Sequence, residues 1–424
     1  MNKRARARAK IERDKARKLK KKLAAQPKYE DVFTIRNFVA VLPKCRKGVG
    51  WKSSVQKYMV NAIRRIHSDY MELRECKLPR PVSDRDIKIY ERGKARTITP
   101  IHVKDRVIQK VLCDYALVPI LQKTLIYDNG ASLLNKGVLF SRNRMKQHLI
   151  NAVNEYGTDF YVLTFDFKNF FDSIPHSTCE ALLRRYILDE RIVKISMDII
   201  KAQHKTRIAG IKDVQERERQ MRRLDNNEER GICLGSQVSQ IIALIIANDL
   251  DHYIKDVKRR KYYVRYMDDG IILGKSKEEL LDLLDGMRIV CKRIGLVFHK
   301  HKTHVLHIKC GFTFLKVKYR IGRNGGIVRK LTRKGTVRMR RKLKKLYMIY
   351  KAGHLELVDA YNSMQSWLAH SMVANGYTTS KHMLRLYYRL FDGYRISKQY
   401  QRRTQDDIFQ NDRWHNYRWD CDAG

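Results

Sequence analysis

Acidic residues follow two predicted strands, and this pattern restricts the fold of the chain more than any other feature. In the first segment, 161–171, a run of β-forming residues places Asp166 at the end of a strand. In the second, 262–273, a similar run leads to Asp268 and Asp269, and an apolar run resumes immediately after them. The pattern therefore predicts that Asp268 and Asp269 lie on the tight turn of a β-hairpin.

Carboxylates between apolar strands need compensation by cations or hydrogen bonds, because burying them bare is costly. Bound metal suits this need, since Mg²⁺ prefers carboxylate oxygens and keeps coordination positions open for phosphates. Two such ions about 4 Å apart clamp both oxygens of an in-line phosphoryl displacement. The three aspartates therefore indicate polymerase chemistry, although an Asp-Asp pair taken alone is also compatible with an Asx-turn in a solvated loop.

The charge of the chain points to a polyanionic partner. The 89 Lys and Arg residues exceed the 44 Asp and Glu residues, which gives a net charge of +45. Binding to nucleic acid should therefore be tight at low salt and weaken steeply as salt rises. A basic protein of the ribosomal type would share this charge, but it would not explain acidic strand ends.

Cysteine usage and hydropathy point to the cytoplasm. The eight cysteines contain no C-x-x-C pair, so neither a zinc ribbon nor a disulfide framework is indicated. The longest apolar stretch, 241–247, is too short to span a membrane, and the first residues are charged. We expect a cytoplasmic protein with reduced thiols and no membrane partner.

The sequence Tyr266-Met267-Asp268-Asp269 matches the Y-x-D-D box of reverse transcriptases, and 165–171 matches their preceding acidic box. With further matching segments in the same order, the chain resembles this family over about 83–381. The resemblance implies an α+β fold of the right-hand polymerase type, with fingers, a palm built on an antiparallel sheet, and a helical thumb. The corresponding segments are a basic, helical N-terminal extension at 1–60, fingers with part of the palm at 61–160, palm at 161–318, thumb at 319–400 and a C-terminal tail at 401–424.

The resemblance also implies the composition of the metal site. Asp166 and Asp268 would ligate two Mg²⁺ ions, for which Mn²⁺ can substitute, with Asp269 as a weaker ligand and Phe167 beside them in the metal-binding set. Lys302 fits the family's lysine that protonates the leaving pyrophosphate, a general-acid contribution of about 10² to 10⁴ in rate. The histidines at 299, 301, 304 and 307 invite a metal interpretation, but their mixed spacing favours phosphate contacts or plain surface.

Three further positions are assigned to the incoming dNTP. The segment 87–100 predicts a hairpin that turns at Gly93, and in the family this hairpin lays basic side chains on the triphosphate, which implies Lys94 and Arg96. A solvated hairpin tip is the alternative. Phe171 matches the aromatic ring that the family places against the sugar C2′, where it leaves no room for a 2′-hydroxyl. Ordinary core packing is the alternative for Phe171.

The segment 231–240 resembles the G-x-x-x-S-Q form of the family's template-binding motif. Glycine permits close approach of the backbone to a ligand, and Ser or Gln donors near a helix start can contact a nucleotide. We therefore expect Gly235 and Ser239 to contact the template and Gln240 to contact the dNTP. A helix N-cap is a compatible alternative for Ser236 or Ser239.

The remaining template and primer contacts follow from the resemblance. Tyr266 belongs to the Y-x-D-D box, and Gly311 and Phe314 lie in a segment, 310–317, that resembles the primer-grip hairpin. After it, 329–351 is intensely basic and predicts a helix of the thumb, which would follow the RNA–DNA duplex by shape and backbone contacts.

Diversity-generating retroelement enzymes and several bacterial defence groups carry the Ser-Gln form of the template motif. The part of the chain after the thumb is too short for a ribonuclease H domain. We therefore expect a stand-alone bacterial RNA-directed DNA polymerase that copies a structured non-coding RNA in antiphage defence. The runner-up is a retroelement reverse transcriptase, and the alternative of another class is a non-catalytic, maturase-like RNA-binding protein. The sequence does not indicate whether the protein is a monomer or an oligomer.

Both ends of the chain are candidates for RNA recognition. Residues 1–25 form a Lys/Arg/Ala run that either orders on nucleic acid or stays a solvated tail. The aromatic residues of the tail, Trp414, Tyr417 and Trp419, either dock on the body or stack on bases.

Overall fold

The computed structural model describes residues 13, 17, 26–82, 87–91, 94–98, 100–209, 211, 213–226, 229–322, 324–372 and 374–391. Within these ranges, the side chains of 88, 90, 91, 94–97, 206 and 207 are not described. Most of the predicted N-terminal extension before residue 26, the turn at 92–93 and the predicted C-terminal tail lie outside the described residues.

Helices occupy most of the described chain. They are Tyr29–Val32, Ile35–Arg46, Ser53–Val60, Ala62–Arg74, Val103–Leu112, Val118–Leu121, Val138–Tyr156, Phe170–Ser173, His176–Tyr186, Glu190–Ala209, Val214–Asp225, Gln237–Ile246, Asn248–His252, Lys277–Arg293, Arg333–Lys351, Leu357–Ser371 and Tyr377–Phe391. Short helical turns lie at Cys113–Leu117, Gln122–Thr124, Tyr253–Val257 and Ile308–Cys310.

Nine strands of the described chain form three sheets. The strands are β1 Ile87–Glu91, β2 Lys94–Ile98, β3 Tyr161–Phe165, β4 Tyr263–Tyr266, β5 Asp269–Gly274, β6 His304–His307, β7 Phe312–Phe314, β8 Val317–Ile321 and β9 Ile327–Leu331. The hairpin β1–β2 forms the first sheet, the order β4-β5-β3-β6 the second, and β7-β8-β9 the third. The predicted hairpin at 87–98 is thus present, with antiparallel pairing from Ile87–Ile98 to Glu91–Lys94.

The chain separates into two compact units. The first unit comprises Met1–Ser141, Phe165–Ile272 and Glu278–His304, and the second comprises Arg142–Thr164, Leu273–Lys277 and Val305–Gly424. At the centre of the first unit lies helix Gln237–Ile246, in which eight of ten residues are buried. A helix that is apolar on all sides is stable only when protein surrounds it, so this helix anchors the core of the unit.

In the second unit, the last three helices of the described chain pack on one another. Leu343, Met364 and Tyr387 belong to their shared apolar core, one from each helix. The sheet β7-β8-β9 precedes these helices in the chain, with antiparallel registers such as Phe312–Tyr319 and Tyr319–Arg329. Alternate residues of β8 are buried, as expected for a strand with one solvated face.

Two sequence expectations need correction. The basic segment 329–351 does not begin as a helix: residues Ile327–Leu331 form β9, and Thr332 caps a helix that starts at Arg333. Val55, Met59, Ile63 and Ile66 recur at helical spacing, which predicts one packed helical face, yet Ile63 is 61% exposed. A break at Asn61 between two helices shifts the helical phase, which turns Ile63 away from the core.

The described helices and cysteines show neither a membrane span nor a disulfide. Among the described residues, no helix combines the length and apolar character that crossing a membrane requires. None of the cysteines in the described part of the chain forms a disulfide.

Candidate active site

The β4–β5 hairpin presents the Asp-Asp pair. Tyr266 pairs with Asp269 across the hairpin, so Met267 and Asp268 are its two turn residues. Met267 has a φ of 54°, and two-residue hairpin loops need positive φ values to match the twist of their strands. The predicted hairpin is present with Asp268 on the turn, whereas Asp269 is the first residue of β5.

Asp166 follows β3 and is held there by the segment that carries Lys302. The backbone N–H of His299 donates to the Asp166 carbonyl at 2.7 Å, and the Asp166 N–H donates to Thr303 Oγ1 at 3.4 Å. Lys302 Nζ donates to Asp166 Oδ2 at 2.7 Å. Lysine and carboxylate, 136 residues apart in the chain, therefore share one site, with the Asp166 side chain 9% exposed.

The three aspartates interact electrostatically. Burial, the charges of Asp268 and Asp166, and a side-chain hydrogen bond with Asp166 raise the pKa of Asp269 to about 7, against a lowering contribution from Lys302. Like charges in a partly desolvated site disfavour one another's ionised form. Added positive charge would therefore stabilise the ionised form of the three carboxylates.

The donor set fits divalent metal of the Mg²⁺ type. Carboxylate oxygens are the hard ligands that Mg²⁺ takes, and it commonly binds through one or two carboxylates plus substrate phosphates. Within the described residues, no group of three or more His, Cys, Asp or Glu side chains forms a ready-made metal site, the four histidines included.

The aromatic residues after Asp166 occupy two different environments. Phe167 is 2% exposed, and its ring stacks between Phe298 at 5.3 Å and Phe170 at 5.2 Å. The Phe167 side chain is thus part of the core, which leaves only its backbone for the predicted metal set. Phe171 is half-buried and contacts Phe170 edge-on, with ring centroids 5.5 Å apart. A partly exposed ring is free to meet a ligand on its open side.

The template motif begins the central helix of the first unit. Ser236 is its N-cap, since its side chain accepts from the Ser239 N–H and donates to Gln109 Oε1 at 3.0 Å. Ser239 is fully buried, and its hydroxyl has no hydrogen-bond partner among the described residues. Gly235, with a φ of 109°, and Gln240 are exposed. The surface of this motif is therefore formed by Gly235 and Gln240, not by Ser239.

The other predicted site residues are placed as follows. Lys94 and Arg96 lie in β2, opposite Glu91 and Ile89, and their side chains are outside the described part of the structure. Tyr266 is half-buried at the end of β4. Gly311 and Phe314 belong to the second unit: Gly311 has a φ of 70° just before β7, and Phe314 is 1% exposed within β7. Their roles stay predictions.

A buried ion pair lies behind the hairpin, and the sequence did not predict it. Arg265 is fully buried, and its Nη2 donates to Asp251 Oδ2 at 2.6 Å while Nε donates to Oδ1 at 2.8 Å. Its Nη1 donates to the carbonyl of Met267 at 2.8 Å, which ties the turn to the core. The only sequence signal is a cation inside an apolar strand, and the partner lies on a separate helix.

Gly270 leaves room for the Phe165 ring next to the aspartates, between neighbouring strands β3 and β5 of the sheet. A Cβ at position 270 would overlap the ring of Phe165, so only glycine fits there without displacing the ring. Phe165 precedes Asp166 and Gly270 follows Asp269, so this contact lies immediately behind the carboxylates.

A strand end and a hairpin bring three aspartates and a lysine together in one site. Comparison with known proteins names the family. The model of the family "Reverse transcriptase (RNA-dependent DNA polymerase)" matches residues 83–322. The chain belongs to this family, which confirms the predicted family and α+β fold class and makes the chain a member of a family of RNA-directed DNA polymerases.

Two individual proteins show more distant similarity. Protein YkfC of Escherichia coli (strain K12) is 24% identical over 292 residues, which cover 58% of this chain and 67% of that protein. A solved structure of apo telomerase from Candida tropicalis, truncated from the C-terminal domain, aligns with 14% identity and a TM-score of 0.41. That alignment covers 63% of this chain and 60% of the telomerase chain.

Proposed function

We propose that the protein is an RNA-directed DNA polymerase that joins dNTPs to a primer by two-metal catalysis. The observation that carries this proposal is the cluster of Asp166, Asp268 and Asp269 with Lys302 at the end of β3 and the β4–β5 turn. A purely structural role is disfavoured, because a fold gains nothing from a buried carboxylate whose pKa its neighbours raise.

In this proposal the three aspartates hold two Mg²⁺ ions, for which Mn²⁺ can substitute. When bound, the ions would supply positive charge that offsets the phosphate charge and lowers the pKa of the primer 3′-hydroxyl. Lys302, which is 47% exposed and forms an ion pair with Asp166, would donate a proton to the departing pyrophosphate. Lys94 and Arg96 bind the triphosphate, Gln240 contacts the nucleotide, and Phe171 closes the space beside C2′.

The template and primer contacts complete the proposal. Gly235 and Tyr266 lie against the template and primer strands, and Ser239 supports the template motif from within the helix. Gly311 and Phe314 form the primer grip, the helices after β9 form the thumb, and the preceding segments keep the predicted division into fingers and palm. The product is an RNA–DNA duplex.

The proposal is tested by measuring DNA synthesis and RNA binding on the same preparations. Purified protein with its co-purifying RNA, Mg²⁺ and dNTPs should yield labelled DNA, and Asp268→Ala with Asp269→Ala should abolish it. Folding and RNA binding should persist, because removing these carboxylates relieves repulsion. The control is Asp282→Ala with Asp285→Ala, an equal charge change on side chains that are 75% and 70% exposed.

The result also separates the two classes of function. RNA binding without incorporation by the unaltered protein would favour the non-catalytic, maturase-like alternative. Loss of RNA binding in the Asp268 and Asp269 double variant, with the control unaffected, would make the pair structural instead.

For the biological role we propose a cytoplasmic bacterial enzyme that copies a dedicated, structured non-coding RNA in antiphage defence. The Ser-Gln form of the motif at 231–240 and the net charge of +45 support this choice. A diversity-generating retroelement is the second candidate, because its enzymes share the motif. A template repeat and a variable repeat in the flanking DNA would favour the second candidate.

A further inference from the structure

The second unit contains a cleft of about 340 Å³ that the proposed polymerase activity does not use. Three parts of the unit line it: one face of helix Val138–Tyr156, the β8–β9 turn with the start of β9, and the loop before the last helix. The lining residues are Lys146, Ile150, Val153, Asn154, Asn324, Gly325, Gly326, Ile327, Val328, Arg329 and Asn375. The backbone N–H of Asn375 donates to the Arg329 carbonyl at 2.9 Å, which fixes the loop against the strand.

The charged groups of the cleft are cationic. Lys146 and Arg329 line it, and no Asp or Glu is among its described lining residues. The Arg329 side chain is 6% exposed, and burial together with the charge of Arg329 lowers the pKa of Lys146. Two cations that share a desolvated space favour an anion between them, because it offsets their repulsion.

The uncharged polar groups of the cleft are amides. Asn324 Oδ1 accepts a hydrogen bond from the Gly326 N–H at 3.2 Å. The Asn324 amide nitrogen takes no part in that hydrogen bond. Asn154 and Asn375 are exposed where the cleft opens. Amides supply both donors and acceptors, as the edge of a nucleobase requires.

The apolar groups and the size of the cleft set the shape of the ligand. Ile150, Val153, Ile327 and Val328 give aliphatic surface, on which the face of a base can pack. A volume near the lower end of the roughly 300–1,000 Å³ typical of small-ligand pockets suits one nucleotide and excludes a duplex. Single-stranded RNA is commonly recognised through such splayed-out bases.

We propose that this cleft binds one unpaired nucleotide, with its phosphate at Lys146 and Arg329 and its base against the aliphatic wall and the asparagines. A free mononucleotide and a nucleotide within a single RNA strand present the same chemistry to these groups. The proposal goes beyond the polymerase activity and does not depend on it, because binding is measured without DNA synthesis.

Photo-crosslinking tests the site by position, which is necessary because the charge of this protein binds RNA at many places. The full-length protein, freed of co-purifying RNA, is irradiated with a short single-stranded oligoribonucleotide that contains 4-thiouridine, and cross-linked peptides are identified by mass spectrometry. We expect cross-links within 146–154 or 324–329. Lys146→Gln should reduce their yield at least about fivefold, the loss expected for one charge-assisted contact.

The matched control is Lys330→Gln. Lys330 follows Arg329 in β9, is exposed and is not among the residues that line the cleft, so an equal loss of charge there should leave the yield unchanged. Asn375→Ala is a second variant, at an exposed position, and it should also lower the yield. Thermal unfolding of each variant separates a lost contact from a lost fold.

Uridine 5′-monophosphate distinguishes the two sources of the nucleotide. If it binds alone and removes the cross-links, the cleft takes free mononucleotides. If it fails at millimolar concentration while the strand still cross-links, the cleft takes a nucleotide of a strand. Cross-links confined to other segments, or equal losses in Lys146→Gln and Lys330→Gln, would overturn the proposal and leave the proposed polymerase activity untouched.

Discussion

Asp269 illustrates how a single residue combines structural cost with chemical use. Burial and two neighbouring carboxylates raise its pKa to about 7, so near neutral pH it carries its charge only in part. A nearby cation reverses this balance, since opposite charge favours the ionised form. The residue is thus unfavourable for the fold alone and favourable for binding a divalent cation.

Asp269→Asn should therefore stabilise the metal-free protein in a pH-dependent manner. An acid whose pKa rises from 3.8 to about 7 on folding costs little below pH 4, and its cost grows until the pH passes the folded-state pKa. The gain in free energy of unfolding should rise by at most about 1.4 kcal/mol per pH unit over that window and then level off. Denaturant unfolding from pH 4 to pH 8 measures it.

Mg²⁺ provides the control for this experiment, because it should stabilise the unaltered protein at pH 8 more than the variant. A gain that is constant with pH would mean that the Asp269 carboxylate is not under electrostatic stress.

Phe171 is the residue expected to set the choice of sugar. The residue is half-buried, and its ring contacts Phe170 edge-on. Phe171→Ala should admit ribonucleotides, while Phe171→Tyr, which keeps the ring, should exclude them. Incorporation of matched dNTPs and rNTPs on a primed template gives the ratio, and an unchanged ratio in Phe171→Ala would assign the discrimination to another residue.

At the scale of elements, the β4–β5 hairpin depends on a partner outside the sheet. Arg265 joins Asp251, on helix Asn248–His252, to the carbonyl of Met267 in the turn. Tyr263 donates its hydroxyl to the same Asp251 at 2.6 Å. The position of the Asp-Asp pair is therefore set by a buried network as well as by the strand ladder.

Arg265→Met should destabilise the protein by about 3–5 kcal/mol, because it leaves Asp251 charged and buried without its main partner. The double variant with Asp251→Leu should recover much of that stability, since it removes the uncompensated charge. DNA synthesis should stay low in both variants, because both lack the Arg265 guanidinium that donates to the Met267 carbonyl. Denaturant unfolding and primer extension measure the two effects. Full recovery of synthesis in the double variant would show that Arg265 serves stability alone.

The elements predicted well are those whose signals are local. The β-forming runs on both sides of Asp268, the paired strands of the hairpin at 87–98 and the N-cap at Ser236 each depend on neighbours in the chain. The Arg265–Asp251 pair and the contact between Lys302 and Asp166 are long-range, and no periodicity encodes them. Strand β9 was missed because its basic composition matches the helix after it, although it pairs residue by residue with β8.

At the scale of the whole molecule, the charge of +45 gives strong but indiscriminate attraction to RNA. Selection of one template must then come from folded RNA shape, from unpaired bases, or from both. Residues 1–25 and the segment from Trp414 are the parts that the proposed chemistry uses least. Recognition therefore has candidate locations at both ends of the chain.

Removing residues 1–25, or the segment from 414 onward, should leave synthesis on a generic primed homopolymer largely intact and lower selectivity for the cognate RNA. Competition binding at physiological salt, with co-purifying RNA against a scrambled sequence, measures this. Raising the salt should weaken both RNAs steeply, because non-specific contacts release counterions. An unchanged ratio for both truncations would assign recognition to the residues between them.

The contact between Phe165 and Gly270 constrains substitution next to the site. β3 and β5 are neighbours in one sheet, and the Phe165 ring lies where a Cβ at position 270 would stand. Any larger residue at position 270 would have to displace this ring from its contacts with Phe167 and Phe298. Positions 165 and 270 can therefore change only as a pair.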